Sequence, residues 1–138
     1  MIAGRYGLYL QMLVYPMLDD RTGVIADGRR RIVWNDSDNH CAWKWYLNGA
    51  DPEIAVPARQ ADLSDLPPAW IGVGTLDLLY DEAVKYGRRL RDAGTPSHDE
   101  VAVGAFHIFD QVAPKAPISR ALFASQCEHL RAALSDAT

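Results

Sequence analysis

Residues 67–94 read PPAWIGVGTLDLLYDEAVKYGRRLRDAG, and this stretch decides the fold. Pro67 and Pro68 punctuate the chain. The next six residues, 69–74, AWIGVG, are apolar or glycine at every position. A short run of that kind predicts a strand buried on both faces, as in a parallel sheet. Helix signals follow at both ends of the next segment. Asp81 and Glu82 stand where the first turn of a helix favours acids. Ala83, Val84, Gly87, Leu90 and Ala93 make an apolar stripe. Gly94 occupies the position after the helix that favours glycine, and Pro96 follows. The stretch therefore predicts a strand leading into an amphipathic helix.

The flanking sequence extends the pattern. Residues 8–15, LYLQMLVY, are apolar except for Gln11 and stop at Pro16, which predicts a second buried strand. Residues 19–66 form a variable insert rich in Asp, Asn, Gly and Arg, with Trp34, Trp43 and Trp45 within it. Apolar positions 34, 41, 42, 45 and 46 fall at rough helical spacing, with Asp36 or Ser37 as the cap. The rest of the insert reads as irregular connection. Residues 99–103, DEVAV, predict a third strand, and the loop GAFHIFD follows. A last helix is predicted over 119–135, with Phe123, Cys127, Leu130 and Leu134 as its apolar stripe. The order strand, insert, strand, helix, strand, helix implies an α/β fold. About three parallel strands with flanking helices and right-handed crossovers are expected, in a single domain over residues 1–138.

Composition removes several classes of function. Hydrophobic residues make up 49% and charged residues 23% of the chain, which argues against disorder. The net charge is −4, and Arg29-Arg30-Arg31 is the one basic run, read as a solvated face. Nucleic acid is thus excluded as a partner. Cys41 and Cys127 make no disulfide framework. His40-Cys41 and Cys127…His129 lack zinc spacing and closing ligands, so no metal is expected. Gly72-Val73-Gly74 lacks the third glycine of a dinucleotide fingerprint, so no cofactor is expected. The apolar stretch from Leu8 to Leu18 is too short to span a membrane, and no secretory leader is read. A cytoplasmic protein is the default expectation.

Two residues stand where chemistry would be. Asp77 lies just beyond the 69–74 strand and His107 just beyond the 99–103 strand. In an open parallel sheet, ligands bind beyond the carboxyl ends of the strands. A carboxylate there can fix the tautomer of an imidazole that shuttles protons. Spacing alone leaves a plainer alternative for each. His107 reads equally as a loop histidine between Phe106 and Phe109, and Asp77 as an acid serving the following helix.

Four local words carry more. LVYPMLD at 13–19, PPAWIGVGTLDLLYDE at 67–82, RRLRDAG at 88–94 and VGAFHIFD at 103–110 occur in that order. Together they resemble the hormone-sensitive-lipase-like family of bacterial α/β-hydrolase esterases, from about Leu10 to Leu134. The resemblance implies the C-terminal part of such a fold and hydrolysis of small carboxylic esters by a Ser–His–Asp mechanism. It makes Asp77 the triad acid and His107 the triad histidine. Asp81 and Glu82 match the acidic pair opening the next helix, and Gly104-Ala105-Phe106 the turn presenting the histidine. Ile108 departs from the family's glycine, and a β-branched residue there is expected to shift the imidazole. Ala102-Val103 stands where the family often has Tyr-Pro. The three tryptophans read as packing anchors, although the resemblance puts their stretch near the substrate pocket.

The family's nucleophile in G-x-S-x-G and its HGGG-type oxyanion loop lie upstream of the YPMLD strand. No serine here has glycine at both −2 and +2, and no Gly-Gly pair occurs. Each missing oxyanion donor removes about 3–4 kcal/mol of transition-state stabilisation. The chain alone is therefore expected to be near background on unactivated esters. The 8–15 strand is expected to be an open, apolar edge. Marginal stability, homodimerisation through that edge, or dependence on an upstream half follows. The alternative to an esterase segment is a non-catalytic module that associates through the same edge.

Overall fold

The computed structural model describes residues 7–23 and 31–135. Arg29 and Arg30, which open the basic run, lie outside the described residues. Three strands form one parallel sheet: β1 (Gln11–Val14), β2 (Ala69–Gly74) and β3 (Ser97–Ala102), in the order β1-β2-β3. Five α-helices are described: α1 (Asp36–Leu47), α2 (Pro52–Ala55), α3 (Tyr80–Asp92), α4 (Phe109–Val112) and α5 (Pro117–Ser135). The α/β architecture expected from the sequence is the one observed.

β2 is central, and every one of its residues is buried. Its side chains alternate between two cores, as the period of a strand requires. Ala69, Ile71 and Val73 join Leu18, Leu63, Leu66 and α3 residues Ala83, Tyr86 and Leu90 on one face. Trp70 joins Tyr15, Ala102, Ala105, Phe109 and Leu122 on the other. The Trp70 indole is fully buried and its Nε1 donates to Ser125 Oγ on α5 at 3.0 Å. Burying each large side chain of this kind contributes roughly 1.5–3 kcal/mol.

α3 runs from Tyr80 to Asp92 and stops where expected. Gly94 has φ 83°, the left-handed conformation that glycine adopts without steric cost. Arg89 on the last turn donates to the carbonyls of Ala58, at 2.6 Å, and Gln60. Thr95 Oγ1 donates to Leu63 O at 2.8 Å. These bonds tie the insert down onto α3.

The structure corrects the bounds of three elements. β1 is shorter than 8–15, because its register with β2 runs only from Gln11↔Ala69 to Val14↔Gly72. Leu8 and Tyr9 are exposed, so β1 is not doubly buried along the predicted length. β3 begins two residues early and ends at Ala102, leaving Val103 exposed. α1 is capped by Asn35, not Asp36 or Ser37. Asn35 Oδ1 accepts from Ser37 N at 2.9 Å and Asp38 N at 3.1 Å, and Asp38 returns a carboxylate to Asn35 N. The remainder of the insert also holds α2 and a 3₁₀ turn at Pro57–Arg59.

The largest correction concerns α5. It starts at Pro117, and Ser119 and Leu122 face the core. Phe123, Leu130 and Leu134, the predicted buried stripe, are exposed at 67%, 47% and 57%. The face turned to the sheet carries Leu122 with Ser119 and Ser125, and the Trp70 indole bonds to Ser125 there, so apolar spacing did not mark it. Among the described residues, no helix is long and apolar enough to cross a membrane.

Candidate active site

Asp77 and His107 are brought together. The loop after β2 folds back on the strand end, with Asp77 N donating to Gly74 O at 3.1 Å. Asp77 Oδ1 accepts from Leu79 N at 3.0 Å, which orients the carboxylate. Its Oδ2 lies 2.8 Å from His107 Nδ1. The Asp77 side chain is fully buried and that of His107 is 12% exposed. An ionised carboxylate can only accept, so Nδ1 donates in this pair, and in the neutral imidazole that leaves the lone pair on Nε2.

The loop bearing His107 is stitched to the loop bearing Asp77. Thr75 N donates to Ala102 O at 3.1 Å, Leu76 N to Ala105 O at 2.9 Å, and Gly104 N to Thr75 Oγ1 at 2.8 Å. The close approach needs a glycine at the end of β2: a Cβ on Gly74 would land on the carbonyl of Ala105. Ile108 caps α4 in the left-handed region, at φ 54° and ψ 28°. For a β-branched residue this costs roughly 1–2 kcal/mol. With Ile108 in this conformation, the imidazole reaches Asp77.

Neighbouring residues complete the surroundings. Tyr15 leaves β1 with φ 47° and sets its ring 5.2 Å from the imidazole. Its hydroxyl donates to Asp110 Oδ1 at 2.9 Å. Burial, with Asp110 beside it, pushes the Tyr15 phenol well above its usual range. Trp34 stacks on the imidazole, centroids 5.3 Å apart. Trp43 packs inside the insert and Trp45 is exposed. Sequence reasoning read Trp34 as a packing anchor, with its stretch near the substrate pocket by resemblance; what it missed is that the ring it packs on is His107.

The acidic pair after the loop divides its roles. Asp81 is exposed at the start of α3. Glu82 is buried and reaches back to the chain leaving β1, accepting from Leu18 N at 2.6 Å. Burial pushes its carboxyl up to about 7, against the opposing pull of the Thr22 side chain and the Leu18 and Asp19 amides. No three His, Cys, Asp or Glu side chains among the described residues are grouped to hold a metal.

Residues 3–111 match the family model described as the alpha/beta hydrolase fold. The chain belongs to this family. It is 32% identical to an esterase, LipW, from Mycobacterium marinum, with a TM-score of 0.82. That alignment covers 91% of this chain and 40% of LipW. A bacterial heroin esterase aligns with a TM-score of 0.80 at 30% identity, over 92% of this chain and 43% of that one. An acetyl-hydrolase of Streptomyces hygroscopicus is 34% identical over 93 residues, 66% of this chain and 31% of the relative. Esterase LipI of Mycobacterium tuberculosis is 40% identical over 57 residues, 38% of this chain and 18% of the relative. The chain thus spans well under half the length of these proteins.

Proposed function

We propose that this chain supplies the acid and the base of a Ser–His–Asp carboxylic ester hydrolase. The observation that carries the reading is the Asp77–His107 pair, 2.8 Å apart beyond the carboxyl ends of β2 and β3. In this reading Asp77 fixes the tautomer and His107 Nε2 takes the proton of an attacking serine. The same nitrogen then returns that proton to the leaving alcohol. The serine and the oxyanion donors would come from sequence that precedes the YPMLD strand in such hydrolases. The substrate would be a small ester, and the relatives' names put acetyl esters first among those to try.

The test is hydrolysis of p-nitrophenyl acetate by the 138-residue chain, alone and mixed with an upstream esterase segment carrying HGGG and G-x-S-x-G. The chain alone is expected to match the buffer blank. The mixture is expected to be active, and inactive with His107→Ala. An inactive mixture in which the two segments do associate would sink the reading.

A second reading is favoured by one observation. Phe123, Leu130 and Leu134 are exposed on α5, and β1 pairs only with β2 among the described residues. These surfaces suit a non-catalytic module that associates through its apolar face. Association with the upstream segment without activity would support this second reading.

A further inference from the structure

Trp34 belongs to the insert, far in sequence from the loops that carry Asp77 and His107. Its indole nonetheless lies nearly parallel to the imidazole of His107, with an interplanar angle of 26°. The ring is held from several sides. Its Nε1 donates to Asn39 Oδ1 at 3.2 Å, and the fully buried Asn39 donates in turn to Thr22 O at 3.0 Å. Its backbone N–H donates to Ile32 O at 2.9 Å, and the next residue is the α1 cap, Asn35. Val33 immediately before it adopts φ 73°, a conformation disfavoured for a β-branched residue. Strain of this kind concentrates at functional sites.

We propose that Trp34 is a positioning residue for His107: its indole face fixes the imidazole plane and stabilises the imidazolium formed when His107 takes a proton. The inference rests on the reading of His107 as general base. In that step the serine oxygen bonds to the carbonyl carbon, the carbonyl π pair moves onto its oxygen as an oxyanion, the serine proton moves to His107 Nε2, and the ring becomes positive. Asp77 meets that charge in the ring plane at Nδ1, and the indole meets it from the ring face. Tryptophan is the strongest side chain for such a contact, and the 5.3 Å separation lies within its reach. Among the described residues the Tyr15 ring also faces the imidazole, centroids 5.2 Å apart, and its hydroxyl donates to Asp110.

The experiment has two arms. On the 138-residue chain, the imidazole Hε1 resonance of His107 is followed by NMR, and its reaction with diethyl pyrocarbonate by peptide mass. Trp34→Ala is expected to remove the ring-current displacement and speed carbethoxylation several-fold, while Trp34→Phe retains most of both. Trp34 fluorescence, taken as parent minus Trp34→Phe, is expected to be quenched when the imidazole is protonated and not in His107→Ala. In the reconstituted enzyme, Trp34→Ala is expected to lower kcat by about tenfold, with Trp34→Phe between it and the parent. KM is expected to stay within about twofold, since the contact acts in the transition state. Parent-like resonance, reactivity and fluorescence would overturn the stacking. A raised KM at unchanged kcat would overturn the positioning role in favour of a substrate wall. If the two segments associate and remain inactive, the ester-hydrolase reading fails, while the first arm still decides whether Trp34 holds and responds to the imidazole.

Discussion

Glu82 on α3 accepts a hydrogen bond from the backbone N–H of Leu18 at 2.6 Å, in a buried site. That bond joins the helix after the Asp77 loop to the chain leaving β1. The burial of that carboxyl, which the bond opposes only in part, gives stability a pH dependence. The unfolded carboxyl releases its proton near 4.5, whereas the folded one holds it to about 7. Between those values folding takes up a proton, so raising the pH weakens the fold. The Glu82 contribution is complete below about pH 4.5 and lost by about pH 7, a change of about 3 kcal/mol. Urea unfolding at pH 5, 6 and 7 should show that slope, and Glu82→Gln should flatten it. An equal slope in the variant would assign it to other groups.

Asp77→Asn tests the pair at the centre of the site. The asparagine keeps the size and the acceptor for Leu79 N, but it offers an N–H or a weaker acceptor to His107 Nδ1. The imidazole then loses its fixed tautomer. In reconstituted enzyme kcat should fall on the order of 10⁴-fold. Circular dichroism should remain that of the parent, separating a chemical loss from an unfolded chain.

Gly74→Ala tests how the strand end sets the histidine. The added methyl meets the Ala105 backbone, two residues before His107, and backbone cannot step aside as a flexible side chain can. The Gly104–Phe106 turn must move, at a cost of roughly 1–3 kcal/mol. Thermal unfolding should show the loss. The NMR signature of the Nδ1–H proton shared with Asp77 should weaken or disappear, whereas an unchanged signal would mean the loop accommodates the methyl elsewhere.

The sequence showed some of this plainly, for physical reasons. β2 and α3 were legible because every β2 residue is apolar or glycine and α3 carries its own stop signal in Gly94. β1 was over-extended because its length is set by register with β2, which lies more than fifty residues away. The cap of α1 was missed by one residue because Asn35, Asp36 and Ser37 are all competent caps, and only backbone conformation chooses among them. Asp77 and His107 were legible from their words, but Trp34 was not. Its contact with His107 depends on how a long insert folds back over the sheet. Ile108 was legible as a departure from the family's glycine, and its left-handed backbone is the local strain that departure brings.

The α5 face gives the last prediction. Phe123 and Leu130 are exposed, so replacing both with serine removes little burial from the folded chain. Surface changes of this kind usually alter stability by no more than about 0.5 kcal/mol. An exposed apolar stripe nevertheless seeks cover, and a second copy of the chain or an upstream segment can supply it. Phe123→Ser/Leu130→Ser should therefore unfold within a few degrees of the parent. It should sediment as a smaller species at high concentration and bind the upstream esterase segment more weakly. Unchanged sedimentation and unchanged binding would shift the associating surface to the β1 edge. A large loss of stability would mean instead that the stripe packs within the chain itself.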